Sequence, residues 1–213
     1  MTPQTPTRPG WKVRPAEDRD AARVAQIYNE GIEDGQATLE TRPREHADIE
    51  DKLRAAGHHL VVAEWGGTIL GWASITPYSP RECYEGIGEA SVYISRSARH
   101  QGLGRLLLDA IIALASERGY HKLIGRLLSS NTPSRQLVRG LGFREVGIHQ
   151  RHGKVGDKWG GRGGGGEIAV AGLKFKFNPV GSLDSGTPAV GRKAPPPCQW
   201  CQFPRPVYLC GCA

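Results

Sequence analysis

The stretch EASVYISRSARHQGLGRLLLDAI, residues 89–111, decides the fold of this chain. Its first part alternates in the manner of a strand, and its last part has the apolar spacing of an amphipathic helix. The turn between them carries glycines at positions 102 and 104. Amide groups of a first helical turn point outwards and the helix dipole adds partial positive charge, so anions bind there. The pattern predicts a pyrophosphate loop, with a purely structural turn as the alternative.

Strand and helix patterns alternate on both sides of this stretch, from residue 11 to residue 159. We expect Asp18 to cap the first helix, and a Gly66-Gly67 turn predicts a β-hairpin. The other elements follow from apolar periodicity and from glycine and proline breaks. The predicted strands are 11–15, 60–78 around the hairpin turn, 87–98, 122–129 and 144–152, and the later helices are 43–57, 101–119 and 131–143.

Composition describes one ordinary domain with a tail. The chain has 213 residues, 38% hydrophobic and 23% charged, and no stretch approaches the roughly 20 apolar residues that span a bilayer. Without a signal-like apolar start, a cytoplasmic location is expected. Of the net charge of +7, residues 162–213 supply +4 (six Lys/Arg against two Asp/Glu), and a mildly basic body suits a small anionic ligand. The scattered histidines show no metal spacing, so no metal is predicted.

The ordered motifs identify a family resemblance over residues 12–159. A strand, R-x-x-G-x-G, a helix, a strand, N-x-x-S and L-G-F follow one another, which resembles the GNAT acetyltransferases. Within them, SPRECYEGIGEASVYI, SSNTPSRQLVRGLGF and VGIHQRHGKVGDKW look like the phosphinothricin acetyltransferases, and IYNEGIED and PRECY look like their arsinothricin relatives. The resemblance implies the α/β GNAT acyl-CoA N-acyltransferase fold, with a mixed central sheet flanked by helices. It also implies acetyl transfer from acetyl-CoA to the primary amine of a small amino-acid-like compound, giving resistance by detoxification.

The resemblance also assigns catalytic and cofactor residues. Glu89 matches the family's general base, and its alternative reading is a solvent-facing strand glutamate. Asn131 matches a residue that reaches the pantetheine arm, although it equally suits a helix cap. Ser134 is expected to add a hydroxyl contact. The remaining cofactor positions are the strand segment, whose backbone would pair with the pantetheine arm, and the pyrophosphate loop: Val92, Tyr93 and Ile94, then Arg99, His100, Gln101, Gly102, Leu103, Gly104 and Arg105.

Substrate positions follow from the same resemblance. Arg81 and Tyr84 match positions near the substrate, with a plain surface arginine as the alternative for Arg81. Tyr28, Glu30 and Thr38 are expected to line the opposite wall. One position departs from the superfamily pattern, because Val138 stands where many members have a tyrosine that protonates the leaving thiolate. The general acid is therefore unassigned, and water is the remaining candidate.

The sequence changes character after Trp159. Relatives continue with a strand of the type D-V-V-V-V-E-R, whereas this chain reads GGRGGGGEIAV. If Gly161 to Ala169 were encoded as GGA CGT GGT GGT GGT GGA GAG ATC GCN, the frame one base later would read D-V-V-V-V-E-R-S. We therefore expect a shifted frame, loss of the last strand and a disordered Gly/Pro/Cys-rich tail over 161–213, after a flexible N-terminus (1–10) and a domain over 11–160. Relatives form homodimers partly through this strand, which puts dimerisation of this chain in doubt.

Three other functions compete with the acetyltransferase hypothesis. The chain could acetylate another amine or a protein N-terminus, or it could be a non-catalytic acyl-CoA-binding domain. A basic tail could also bind nucleic acid in a salt-sensitive way, a function that we do not predict. The tail's C-x-x-C and C-x-C cysteines lack a surrounding hydrophobic core, so we predict no zinc site there.

Overall fold

The computed structural model describes residues 10–155, 157–159 and 167–174. The predicted flexible N-terminus, apart from Gly10, lies outside the described residues, as do the junction at residues 160–166 and the tail from residue 175 onwards. The described elements are β1 Lys12–Pro15, α1 Ala21–Asp34, α2 His46–Arg54, β2 His59–Trp65, β3 Thr68–Pro77, β4 Ile87–Ile94, α3 Leu103–Glu117, β5 Lys122–Leu128, α4 Thr132–Gly140, β6 Arg144–His149, β7 Lys154–Val155, β8 Lys158–Trp159 and β9 Ile168–Lys174.

A seven-stranded mixed sheet forms the centre of the fold, in the order β1-β2-β3-β4-β5-β9-β6. Its only parallel neighbours are β4 and β5, and every other described pair in this sheet is antiparallel. The β2–β3 hairpin turns through Gly66 and Gly67, whose φ angles of 56° and 80° require glycine-like freedom. The predicted α/β class with a mixed central sheet is confirmed.

Two hydrophobic clusters cover the two faces of the sheet. On one face, α3 buries Leu103, Leu107 and Ile111 against strand residues such as Ile75 and Leu123. On the other face, the apolar side of α1 packs with α2 on β2 and β3, around Ile27, Ile49, Val62 and Trp72. Each helix presents one apolar stripe, so the alternation of helices and strands along the chain gives a three-layer arrangement.

The first helix starts later than the sequence predicted. Residues Asp18–Asp20 form a single 3-10 turn, with Glu17 and Asp20 in a reciprocal capping box, and α1 begins at Ala21. Asp20 is almost fully buried, and Arg14 donates two hydrogen bonds to it, at 2.6 and 3.0 Å. Asp18 as the helix cap is therefore wrong, because the carboxylate of Asp20 is the one that satisfies an amide group at this end.

The expectation that the last strand is lost is wrong for this structure. Residues Ile168–Lys174 form β9, which fills the position between β5 and β6. Ala169 and Ala171 turn inwards and are almost fully buried, and they line the same small cavity as Val138 and Phe143. A strand position beneath a helix needs backbone hydrogen bonds and small apolar side chains, and IAVAGLK supplies both.

The sheet therefore extends beyond residue 160, where the sequence places the end of the domain. The shifted frame concerns the gene, and it stays a prediction that resequencing decides. Glycine codons other than GGT at positions 163 to 165 would contradict it.

We expect Ala171→Asp to lower the free energy of unfolding by about 3 kcal/mol or more, because it buries a carboxylate without a partner. Urea denaturation measures the change. Lys174→Asp places the same carboxylate at the exposed end of β9 and serves as the matched control. Equal stability of the two variants would contradict the placement of this strand in the sheet.

Candidate acetyl-CoA and amine site

The strands β4 and β5 separate after a short ladder. Three residue pairs join them, and the last one is Glu89 with Ile124. On its other edge, β4 stays paired with β3 as far as Ile94. The backbone of Val92–Ile94 on the β5 side therefore faces a cleft, where an extended ligand can take the place of the missing strand neighbour.

A cavity of about 550 Å³ lies at the end of this cleft. This volume falls within the usual range for small-molecule and cofactor sites. The cavity brings together all of the predicted cofactor residues except one: its lining includes Val92, Tyr93, Ile94, Arg99, His100, Gly102, Leu103, Gly104, Arg105, Asn131 and Ser134. The exception is Gln101, whose side-chain amide donates to the carbonyl of Ser97 instead.

The predicted pyrophosphate loop leads directly into the first turn of α3. Gly102 caps the helix with a φ of 87°, and His100 also has a positive φ, of 60°. Leu103 is almost fully buried, and its side chain packs in the hydrophobic cluster beneath α3. A Cβ atom on Gly104 would lie 3.1 Å from Leu137 Cδ2, so this glycine also permits the close approach of α4. The geometry agrees with an anion site at a helix N-terminus.

Charges at this end of the cavity are already paired. Arg99 donates to Asp34 at 2.6 Å and to the carbonyl of Ile94 at 3.1 Å. Burial opposes ionisation of Asp34, but hydrogen bonds from Arg96 and Arg99 outweigh it and hold its pKa below the ordinary value. Arg105 lies near Asp109, at 3.6 Å. An incoming anion thus meets arginines whose positions are already set by carboxylates.

Asn131 is the cap of α4, and its contact with the pantetheine arm stays a prediction. Its Oδ1 accepts from the backbone amide of Ser134 at 3.1 Å and so caps α4. Its Nδ2 donates to the carbonyl of Gln36 at 2.9 Å, in the segment after α1 that lines the same cavity. One side chain therefore joins two walls of the cleft.

The predicted base is engaged in an ion pair. Arg126 donates to both oxygens of Glu89, at 2.8 and 2.7 Å. These hydrogen bonds raise the pKa of the Arg126 guanidinium. Arg126 was missed from the sequence, because only the register between β4 and β5 places it beside Glu89.

Of the predicted substrate residues, Tyr28 is buried in the cluster beneath α1, in an aromatic group that we call the Tyr28 wall. The Tyr28 ring lies 4.7 Å from that of Tyr93, and Lys52 lies 5.6 Å above the Tyr28 ring. Burial, with the neighbouring Tyr28, raises the pKa of Tyr93 far above its ordinary value, while a hydrogen bond with Thr38 opposes this rise. Burial lowers the pKa of Lys52, and the positive charge of Arg44 lowers it further. Lys52 and Arg44 bring positive charge to this wall, and neither was predicted.

The other predicted substrate residues lie elsewhere. Glu30 accepts from the backbone amide of Arg96 at 2.6 Å and from Ser95, so its carboxylate holds the segment before the pyrophosphate loop. Arg81 and Tyr84 line a separate cavity of about 610 Å³, together with Tyr120. The structure brings none of the five predicted substrate residues into the lining of the large cavity beside α3, since Tyr28 and Thr38 are also absent from it.

Val138 is buried in the core, so it offers no proton to a leaving group. Cys83, an exposed free thiol, is not among the predicted site residues. Among the described residues, no group of three His, Cys, Asp or Glu side chains could hold a metal ion, and no helix is long and apolar enough to cross a membrane.

Comparison with known proteins defines the class. The acetyltransferase (GNAT) family profile matches residues 23–143, more than half of the chain. The chain therefore belongs to the GNAT family and is an acetyl-CoA-dependent N-acetyltransferase.

Individual relatives are similar along most of their length. The chain is 33% identical to a phosphinothricin N-acetyltransferase of Alcaligenes faecalis, over 74% of this chain and 86% of the relative. It is 32% identical to an L-methionine sulfoximine/L-methionine sulfone acetyltransferase of Pseudomonas aeruginosa, over 69% and 88%. A crystal structure of a phosphinothricin acetyltransferase from Sinorhizobium meliloti in complex with acetyl-CoA superimposes with a TM-score of 0.71 and 25% identity, covering 85% of this chain and 94% of that one.

We expect Asn131→Ala to lower the free energy of unfolding by about 1 kcal/mol, because it removes the cap of α4. The same variant should raise the KM for acetyl-CoA, because the link to Gln36 is lost. Asn131→Asp keeps an acceptor for the Ser134 amide but cannot donate to the Gln36 carbonyl. Thermal unfolding and steady-state kinetics separate the two roles. A normal KM in Asn131→Asp would restrict this residue to capping.

Proposed function

We propose that this chain transfers the acetyl group of acetyl-CoA to the α-amine of a small amino acid of the phosphinothricin, arsinothricin or methionine sulfoximine type. The observation that carries the proposal is the position of Glu89 at the last pair of the β4–β5 ladder, where the cleft opens. A carboxylate at this point lies beside any thioester that enters between the strands. The names of the relatives support the choice of acceptor.

The chemistry needs a proton acceptor, because an ammonium ion cannot attack a carbonyl carbon. Glu89 takes a proton from the ammonium, directly or through water. The amine nitrogen then bonds to the thioester carbonyl carbon, and the carbon–sulfur bond breaks with its electron pair on sulfur. A second proton leaves the nitrogen and reaches the sulfur through solvent, since Val138 is apolar and buried.

Residues of the cleft take the binding roles. The backbone of Val92–Ile94 pairs with the pantetheine arm, while Arg99, Arg105 and the first amides of α3 hold the pyrophosphate. The wall of Tyr28 and Thr38, with Lys52 and Arg44, receives the acceptor. The positive charge of Lys52 and Arg44 suits the anionic side-chain group of such an acceptor. A contact of Arg81 and Tyr84 with the acceptor stays a prediction from the resemblance, because both line the separate cavity beside Tyr120.

Three broader statements belong to the same proposal. Resistance follows from the reaction, because acetylation blocks the amine of a toxic glutamate analogue. A cytoplasmic location suits an enzyme that uses acetyl-CoA. The homodimer of the resembled family stays a prediction, which light scattering of the purified chain decides.

We expect Glu89→Gln to lower kcat by about a hundred-fold or more, because the amide cannot accept the proton. The affinity for CoA should persist, as judged by calorimetry. The assay follows thiol release from acetyl-CoA with phosphinothricin, arsinothricin and L-methionine sulfoximine as acceptors. Glu117→Gln makes the same change at the exposed end of α3 and is the control. Normal turnover in Glu89→Gln would remove this residue from the chemistry.

The same assay decides between the competing functions. Binding of CoA with no acceptor turned over would favour a non-catalytic acyl-CoA-binding domain. Turnover confined to peptides would favour a protein N-terminal acetyltransferase.

A further inference from the structure

The two side chains of the Glu89–Arg126 ion pair differ in their exposure to solvent. The Arg126 side chain is 52% exposed, whereas that of Glu89 is 20% exposed. Both guanidinium–carboxylate hydrogen bonds are short, at 2.7 and 2.8 Å, as in the strong bidentate arrangement. An exposed guanidinium loses little solvation in such a pair, so its partner can be exchanged at small cost.

The sheet places this pair at the mouth of the cleft. Ile124 is the ladder partner of Glu89, and Arg126 lies two residues further along β5, on the same face. Arg126 also lines a cavity of about 70 Å³ together with Val92, Asn131 and Ser134. All three of these residues line the large cavity as well, so Arg126 contacts Glu89 and also lies next to the proposed acetyl-CoA site.

The intact pair creates a chemical difficulty for catalysis. Both carboxylate oxygens of Glu89 accept hydrogen bonds from Arg126. An ammonium group that approaches Glu89 therefore has to compete with Arg126 for these oxygens. A charged group of the acceptor therefore has to replace Arg126 beside Glu89, or Glu89 beside Arg126.

A free amino acid carries the two charges that such an exchange requires. Its ammonium and carboxylate groups are attached to one carbon atom, just as Glu89 and Arg126 lie side by side. When the amino acid binds between them, its ammonium group pairs with Glu89 and its carboxylate pairs with Arg126. Two ion pairs then replace one, and each of these four groups has a partner. A simple amine, an ester or a protein N-terminus brings no carboxylate at this place and would leave Arg126 without a partner.

We propose that Arg126 is a specificity-determining residue that exchanges Glu89 for the α-carboxylate of the acceptor. The exchange frees Glu89 to take the ammonium proton, after which the nitrogen forms the new bond and the carbon–sulfur bond breaks as described above. This inference rests on the proposed function. It adds a reason why the enzyme selects free amino acids.

The test compares Arg126→Met with the unaltered protein on L-methionine sulfoximine and phosphinothricin, and on the α-methyl ester of each. For the free acids, kcat/KM should fall by about ten-fold or more, as for loss of a hydrogen bond to a charged group. For the esters, kcat/KM should rise, because Glu89 is no longer held. Arg126→Lys keeps the positive charge and should restore part of the activity on the free acids.

Arg144→Met changes an exposed arginine at the start of β6 and should leave both classes of acceptor unaffected. Thermal unfolding and CoA affinity of each variant are measured in parallel, and we expect them to be unchanged. If kcat/KM of Arg126→Met falls equally on acids and esters, or changes on neither, the proposed role of Arg126 is wrong. The proposed function itself is not affected by that result. Absence of turnover of every acid and ester by the unaltered protein, with CoA still bound, would overturn the proposed function as well.

Discussion

The site depends on one constraint in the sheet, the separation of β4 and β5 after Glu89. Parallel strands normally continue to pair, yet this ladder has three residue pairs and then opens. The opening leaves the backbone edge of Val92–Ile94 facing the cleft, and it also directs the chain into the N-terminus of α3. A backbone edge that lacks a neighbour is costly when it is buried, so a peptide-like ligand fits there naturally. The cavity, the loop and the carboxylate all follow from this opening.

The second theme is that the charged groups of the site already have partners. Glu89 is paired with Arg126, Asp34 with Arg99, and Glu30 with the amide of Arg96. Carboxylates in this arrangement hold the arginines in fixed geometry, which reduces the entropy lost when an anion binds. Binding then exchanges one set of ion pairs for another. Such exchanges favour ligands whose charges match in number and spacing, which is a source of specificity beyond shape.

The last strand, β9, forms although the sequence there lacks the motif that the family resemblance predicts. The motifs that carried the family resemblance end near Trp159, and the sequence beyond it led to the expectation of a lost strand. The structure nevertheless places Ile168–Lys174 between β5 and β6, with Ala169 and Ala171 beneath α4. A central strand under a helix is specified mainly by small apolar residues at alternate positions and by backbone hydrogen bonds. Many sequences meet that requirement, so a strand forms at this position without a recognisable family motif.

The sequence by itself determined the strand–loop–helix unit around residues 89–111, the hairpin at Gly66-Gly67 and 11 of the 18 residues that line the large cavity. These features are local, since capping, glycine geometry and periodicity act over a few residues. Only the tertiary structure decided that Arg126 holds Glu89, that Asp34 holds Arg99, and that Lys52 and Arg44 surround Tyr28. Each of these contacts joins residues on different elements, and a register shift of one residue on β5 would turn Arg126 to the opposite face. The motifs also contained Arg81, Tyr84 and Glu30. Their positions were not predictable from those motifs, because they depend on how the connecting loops pack.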